Sequence, residues 1–205
     1  MLAPRVRTDE HKNASEQAQL GRAQRTRMTI RIYRADEVLN FADCLADIDE
    51  IFFQSSARHT FCDQDERQAF REMFLDRYFF RHRDSFFVAL DDAGRAIGYL
   101  AGCLENPTIL DHFNDVSYFR CIADICQDYP AHLHINVSEA FRNLGLGTQL
   151  VERFADWARL HSVEGIQIVT SSASRSIPFY KRSGFIELRT FPWNSGFSVC
   201  MGRKL

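Results

Sequence analysis

The sequence predicts one α/β domain whose sheet is mixed and mostly antiparallel, with about six to seven strands and about four or more flanking helices. Three observations carry that expectation. Two pairs of alternating segments, residues 85–91 with 95–104 and residues 185–188 with 196–201, read as hairpins. Amphipathic stretches of helical period separate the strands. Between residues 131 and 161 the apolar period changes from that of a strand to that of a helix across a glycine loop.

Residues 1–27 are polar and lack an apolar period; Arg5, Arg7, Lys12, Arg22, Arg25 and Arg27 outnumber Asp9, Glu10 and Glu16. Such a segment buries too little to offset its ordering entropy, so it is expected to be a disordered tail, with the domain spanning 28–205. Residues 29–33 form the first strand. Val38, Leu39, Phe41, Ala42, Leu45, Ile48, Ile51 and Phe52 predict a helix over 35–54. A polar break with His59, Thr60, Cys62 and Asp63 leads to a Phe- and Tyr-rich helix over 66–81. After the first hairpin, residues 105–130 are expected to be helical around 109–126, ending at Pro130. Residues 166–170 read as a buried strand. Pro178 suits the first turn of a short helix, and Gly184 its C-terminal cap.

The formal charge of -2 gives no bulk attraction to nucleic acid, so none is expected as a partner. Neither a signal peptide nor an apolar run near the length of a membrane span is present, and no membrane partner is expected. The six cysteines make no CxxC pair and no metal-ligand spacing, which predicts free thiols, no metal, and a reducing cytoplasm. A homodimer is compatible with this composition. Eighteen Phe residues predict an aromatic core and an aromatic pocket.

The chemistry is concentrated after residue 131. Leu133, Ile135 and Val137 alternate along a strand; Leu150, Val151, Phe154, Trp157 and Ala158 mark one helix face. Gly145 and Gly147 lie between them, where a backbone can approach a ligand closely. Exposed N–H groups at the helix start, the helix dipole and Arg142 together make a diphosphate cradle. A dinucleotide fold fits less well, because Leu150 occupies the third glycine position and Glu164 precedes its strand. The GxxxxGK[ST] phosphate loop is absent.

Arg142-Asn143-Leu144-Gly145-Leu146-Gly147 resembles the Arg/Gln-x-x-Gly-x-Gly/Ala loop of the GNAT N-acetyltransferases. The segment 176–185, with Phe179-Tyr180 before Gly184-Phe185, resembles that family's second motif. The resemblance spans 28–205 and implies the GNAT fold with acetyl-CoA as cosubstrate. It also implies transfer of an acetyl group to the amine of a small-molecule or peptide acceptor. Asn143 and Ala173 depart from the usual family residues. A weaker similarity, over residues 129–134, is to acetyltransferase-like domains associated with bacterial O-GlcNAcases.

The resemblance implies that Ile135, Asn136 and Val137 bind the pantetheine and acetyl carbonyl, while Arg142, Asn143, Leu144, Gly145, Leu146, Gly147 and Thr148 bind the diphosphate. Tyr180 matches the tyrosine that protonates the coenzyme sulfur. His132 and His134 are the titratable candidates for the base, with His134 preferred; alternation places them opposite Leu133, Ile135 and Val137. Arylalkylamine acetyltransferases carry a similar His-x-His one residue out of register. Glu139 and water are other proton routes. Phe52, Phe53, His59, Phe61, Tyr78, Phe79, Phe80, Tyr118, Phe119 and Trp193 are candidates for the acceptor pocket or the core. The alternative reading is a GNAT-like domain that binds acyl-CoA without catalysis.

Overall fold

Alternating apolar residues build seven strands in the computed structural model, which describes residues 29–56 and 58–205. The predicted N-terminal tail lies outside the described residues. The strands are β1 (Arg31–Arg34), β2 (Phe86–Leu90), β3 (Ala96–Cys103), β4 (Ala131–Val137), β5 (Gly165–Ser171), β6 (Ile186–Trp193) and β7 (Gly196–Lys204). They form one sheet in the order β1-β2-β3-β4-β5-β7-β6. Every neighbouring pair is antiparallel except β4 with β5. Both predicted hairpins are present, the second longer than its sequence pattern indicated.

Because side chains alternate across a strand, the sheet separates two apolar layers. On one face, α5 (Leu146–Leu160) buries Leu146, Leu150, Val151, Phe154, Ala155 and Ala158. Phe154 presses so close to β3 that a Cβ at Gly102 would lie 2.3 Å from its ring. The short α6 (Ile177–Arg182) adds Tyr180 to the same layer. The other face carries α1 (Leu45–Ser55), α2 (Gln64–Arg71) and α3 (Arg77–Arg81), with α4 (Ile125–Asp128) beside them. This second layer is markedly aromatic: Phe41, Phe52, Tyr78, Phe86, Tyr99, Phe113 and Phe119 are buried in it. Each such side chain contributes roughly 1.5–3 kcal/mol through burial.

Three predicted helices are altered. The 35–54 helix begins only at Leu45, after a 3-10 turn at Phe41–Cys44. Glu37 instead accepts the Arg34 N–H and makes a turn, leaving Leu39 fully exposed. The 66–81 helix starts at Gln64 behind the Asp63 cap and is interrupted by a π turn at Glu72–Asp76 before α3. Residues 105–130 do not form the expected helix. They make 3-10 turns at Pro107–Ile109, Asp111–Phe113 and Ser117–Ile122, then α4. Asn106 captures the Thr108 N–H, a local bond that competes with a continuous helix. No helix among the described residues is long and apolar enough to cross a membrane.

Candidate functional site

β4 and β5 are in register for only two residues, Ala131 with Ile166 and His132 with Gln167. Beyond them the parallel strands separate, and the β5-side edge of β4 loses its strand partner. The resulting cleft, about 730 Å³, is floored by Ile135, Asn136 and Val137.

The glycine loop closes the head of this cleft. Asn143 and Gly145 both take positive φ, 62° and 79°, and turn the chain abruptly into α5. A Cβ at Gly145 would meet nothing within 4 Å, so only its backbone conformation favours glycine there, and the space above it is open. Gly147 has a different reason: a Cβ there would stand 3.1 Å from the Phe179 ring. No side chain caps the start of α5. Its first N–H groups have no intrahelical partner, and the helix dipole reinforces their attraction for an anion.

Arg142 stands beside those groups. Its Nε donates to the Val137 carbonyl oxygen (3.1 Å) and its Nη2 to Ser55 Oγ (3.2 Å). Of the loop residues singled out from sequence, Arg142, Asn143, Gly145, Leu146, Gly147 and Thr148 line the cleft. Leu144 does not; its side chain is 61 % exposed to solvent.

The facing wall is α6 and the turn before it. It supplies Tyr180 and Phe179, together with Arg175, Ser176 and Arg182. Arg175 and Arg182 were missed from sequence, although Arg175 immediately precedes the second motif and Arg182 lies within it. With Arg142 they make the cleft cationic, and no carboxylate is among its described lining residues. Burial holds the Tyr180 phenol well above its ordinary pKa, so it stays protonated throughout the working range.

His134 does not line this cleft. It lies on the other face of β4, with ring edges against Phe74 (5.5 Å) and Tyr78 (5.4 Å). Burial, followed by the Arg77 charge, lowers its pKa to about 4, so the ring is neutral at ordinary pH. His132 is deeper still, packed by Phe113 and Phe119, and burial holds its pKa well below the usual histidine range. Asn136 lines the cleft and also donates from Nδ2 to the Tyr99 hydroxyl at 2.8 Å. Glu139 sits exposed in a 3-10 turn beyond the strand.

The aromatic candidates divide. Phe52, Tyr78, Tyr118 and Phe119 are core, and Phe80 is exposed. Phe53, His59 and Phe61 line a separate small hollow with Arg58 and Arg67.

Residues 45–185 match the profile of the acetyltransferase (GNAT) family. No curated protein matched by sequence. Among solved structures the fold is similar to SsHAT (22 % identity, 86 % of this chain and 98 % of that one, TM-score 0.64). It is also similar to the phosphinothricin acetyltransferase of Sinorhizobium meliloti, solved with acetyl-CoA (19 % identity, 87 % and 88 %, TM-score 0.56). A third similar structure is Ard1 from Thermoplasma volcanium (18 % identity, 87 % and 97 %, TM-score 0.53). With its splayed β4 and β5, its glycine loop and its matched profile, the chain belongs to the acetyltransferase (GNAT) family.

Proposed function

We propose that the protein is an N-acetyltransferase that moves the acetyl group of acetyl-CoA directly onto the amine of a small molecule or peptide. One observation carries this reading: the gap beside Ile135–Val137 leads from a cationic, amide-rich loop at one end to a protonated phenol at its wall.

In this reading the diphosphate lies on the N–H groups following Gly145, paired with Arg142. Arg175 and Arg182 hold the coenzyme's third phosphate. The pantetheine arm runs along the free edge of β4, whose N–H groups polarise the thioester carbonyl. The neutral amine attacks that carbonyl, and the carbon–sulfur bond breaks as the nitrogen–carbon bond forms. Tyr180 gives its proton to the departing thiolate. The proton lost by the amine passes to solvent through the open cleft, because the other candidate, His134, is packed against Phe74 and Tyr78 on the other face of β4 and does not reach it. The six free cysteines support a reducing cytoplasm as the working compartment.

The test is incubation with acetyl-CoA and a panel of amines while free thiol is followed, alongside calorimetry with coenzyme A. Coenzyme binding with thiol release on at least one amine is the expected result. Binding without turnover on any amine would identify a coenzyme-binding module instead. Absence of coenzyme binding would end the reading.

A further inference from the structure

At the opposite end of β3 and β4 from the cleft, the fold gathers ligating side chains that no local spacing announces. His82 follows α3, Cys103 is the last residue of β3, and Glu105 begins the irregular segment after it. Their ligating atoms all lie within 4.8 Å of one another. His82 and Cys103 are buried while Glu105 is exposed, so the group has a dry floor and an open mouth. A fourth donor adjoins it: His112 Nε2 is 2.9 Å from His82 Nε2.

We propose that His82, Cys103 and Glu105, with His112 as the fourth donor, form a binding site for a transition-metal cation of the Zn²⁺ class. The donor set of imidazole, thiolate and carboxylate is what such a borderline cation selects. Tetrahedral coordination sets donor atoms roughly 3.3–3.6 Å apart, so His82, Cys103 and Glu105, now within 4.8 Å of one another, would draw closer on an ion while the 2.9 Å His82–His112 pair would open.

The surroundings are those of a held site. Phe113 packs against His82 (5.9 Å), His112 (4.6 Å) and His132 (4.8 Å), fixing three imidazoles about one ring. Arg77 donates to the His112 carbonyl and forms a two-point pair with Asp115, which pins the ligand-bearing turn to α3. The same corner is short of polar partners. His132, 3 % exposed and directly across from Cys103 in the β3–β4 ladder, has neither ring nitrogen hydrogen-bonded among the described residues. A bound cation would displace the Cys103 thiol proton to solvent. The ion would tie α3, β3 and the 107–113 turns together, away from the acetyl-transfer cleft.

The experiment is titration of the metal-stripped protein with Co²⁺, read by absorbance, with circular dichroism reporting the fold. One equivalent should give visible bands of tetrahedral cobalt and a near-ultraviolet thiolate-to-cobalt band. C103S should lose the thiolate band. Glu105→Gln and His112→Ala, at more exposed positions, should weaken binding about 10-fold or more while the fold persists. A folded protein without these bands overturns the proposal. So does a thiolate band that survives in C103S, since another cysteine would then be the ligand.

Discussion

The Nε of Arg142 donates to the carbonyl oxygen of Val137 at 3.1 Å, so the guanidinium at the loop is anchored to the last residue of β4. Its Nη2 reaches Ser55 at the end of α1. The side chain is therefore held at the cleft's mouth before any ligand arrives, which reduces the ordering cost of binding an anion.

Arg142→Ala should weaken coenzyme A binding by about 10- to 100-fold, the range for a charge-assisted hydrogen bond worth roughly 1.5–3 kcal/mol. Arg142→Lys should fall between, because one ammonium cannot keep both anchors and still face a phosphate. Calorimetric titration measures this, and an unchanged Kd in the Ala variant removes Arg142 from the phosphate site.

Gly147 separates packing from conformation. Its substitution by Ala places a methyl 3.1 Å from Phe179, a contact the ring can relieve only by moving within the cleft wall. Gly147→Ala should reduce coenzyme affinity several-fold with a small change in Tm. Gly145→Ala meets no neighbour but strains a left-handed backbone, at a cost of about 1 kcal/mol. Parallel binding and melting curves distinguish the two, and equal effects from both variants would contradict this division.

The glycine turn between β4 and α5 was legible in sequence because strand, turn and helix are contiguous there, and local rules suffice for contiguous chain. The 105–130 segment was not. Its apolar residues, Phe113, Val116, Tyr118, Phe119 and Ile122, each fill a different place in the aromatic layer, and that demand overrode any helical period. The cationic wall was also hidden. Arg175 and Arg182 meet Arg142 only because β4 and β5 separate, a relation between strands distant in sequence. The face of His134, by contrast, followed from alternation alone; its neutral state needed the packing of Phe74 and Tyr78.

Tyr180 offers a proton that burial keeps on the phenol. Tyr180→Phe preserves the ring and its edge contact with Phe185 at 5.6 Å, so the fold should be unaffected. Turnover should fall by about 100-fold or more, the usual yield of general acid catalysis, with coenzyme Kd unchanged. A kcat equal to that of the unaltered protein would remove the assignment.

Arg175 and Arg182 predict discrimination for the coenzyme's third phosphate. Dephospho-coenzyme A, which lacks it, should bind about 10-fold or more weakly. The penalty should shrink in Arg175→Ala and Arg182→Ala. A double-mutant-style comparison of the two ligands against each variant isolates that coupling. If dephospho-coenzyme A binds as tightly as coenzyme A, these arginines serve another purpose.

His134 gives a pH dependence whose sign is fixed by its shift. In the unfolded chain its imidazole titrates near 6.5, and in the fold near 4. Between those values the unfolded state binds more protons. The group's contribution to stability is therefore intact above pH 6.5, declines as pH falls toward 4, and is lost below it. One such group gives a slope of at most about 1.4 kcal/mol per pH unit within the window. Arg77 faces the ring with a like charge, Tyr78 and Phe74 exclude water, and neighbouring His132 is shifted in the same direction. Replacing His134 with Gln should thus make the stability profile shallower without flattening it. Urea denaturation at intervals from pH 4 to 7 measures the slope, and superimposable profiles for the two proteins would show that His134 is not buried in its neutral form.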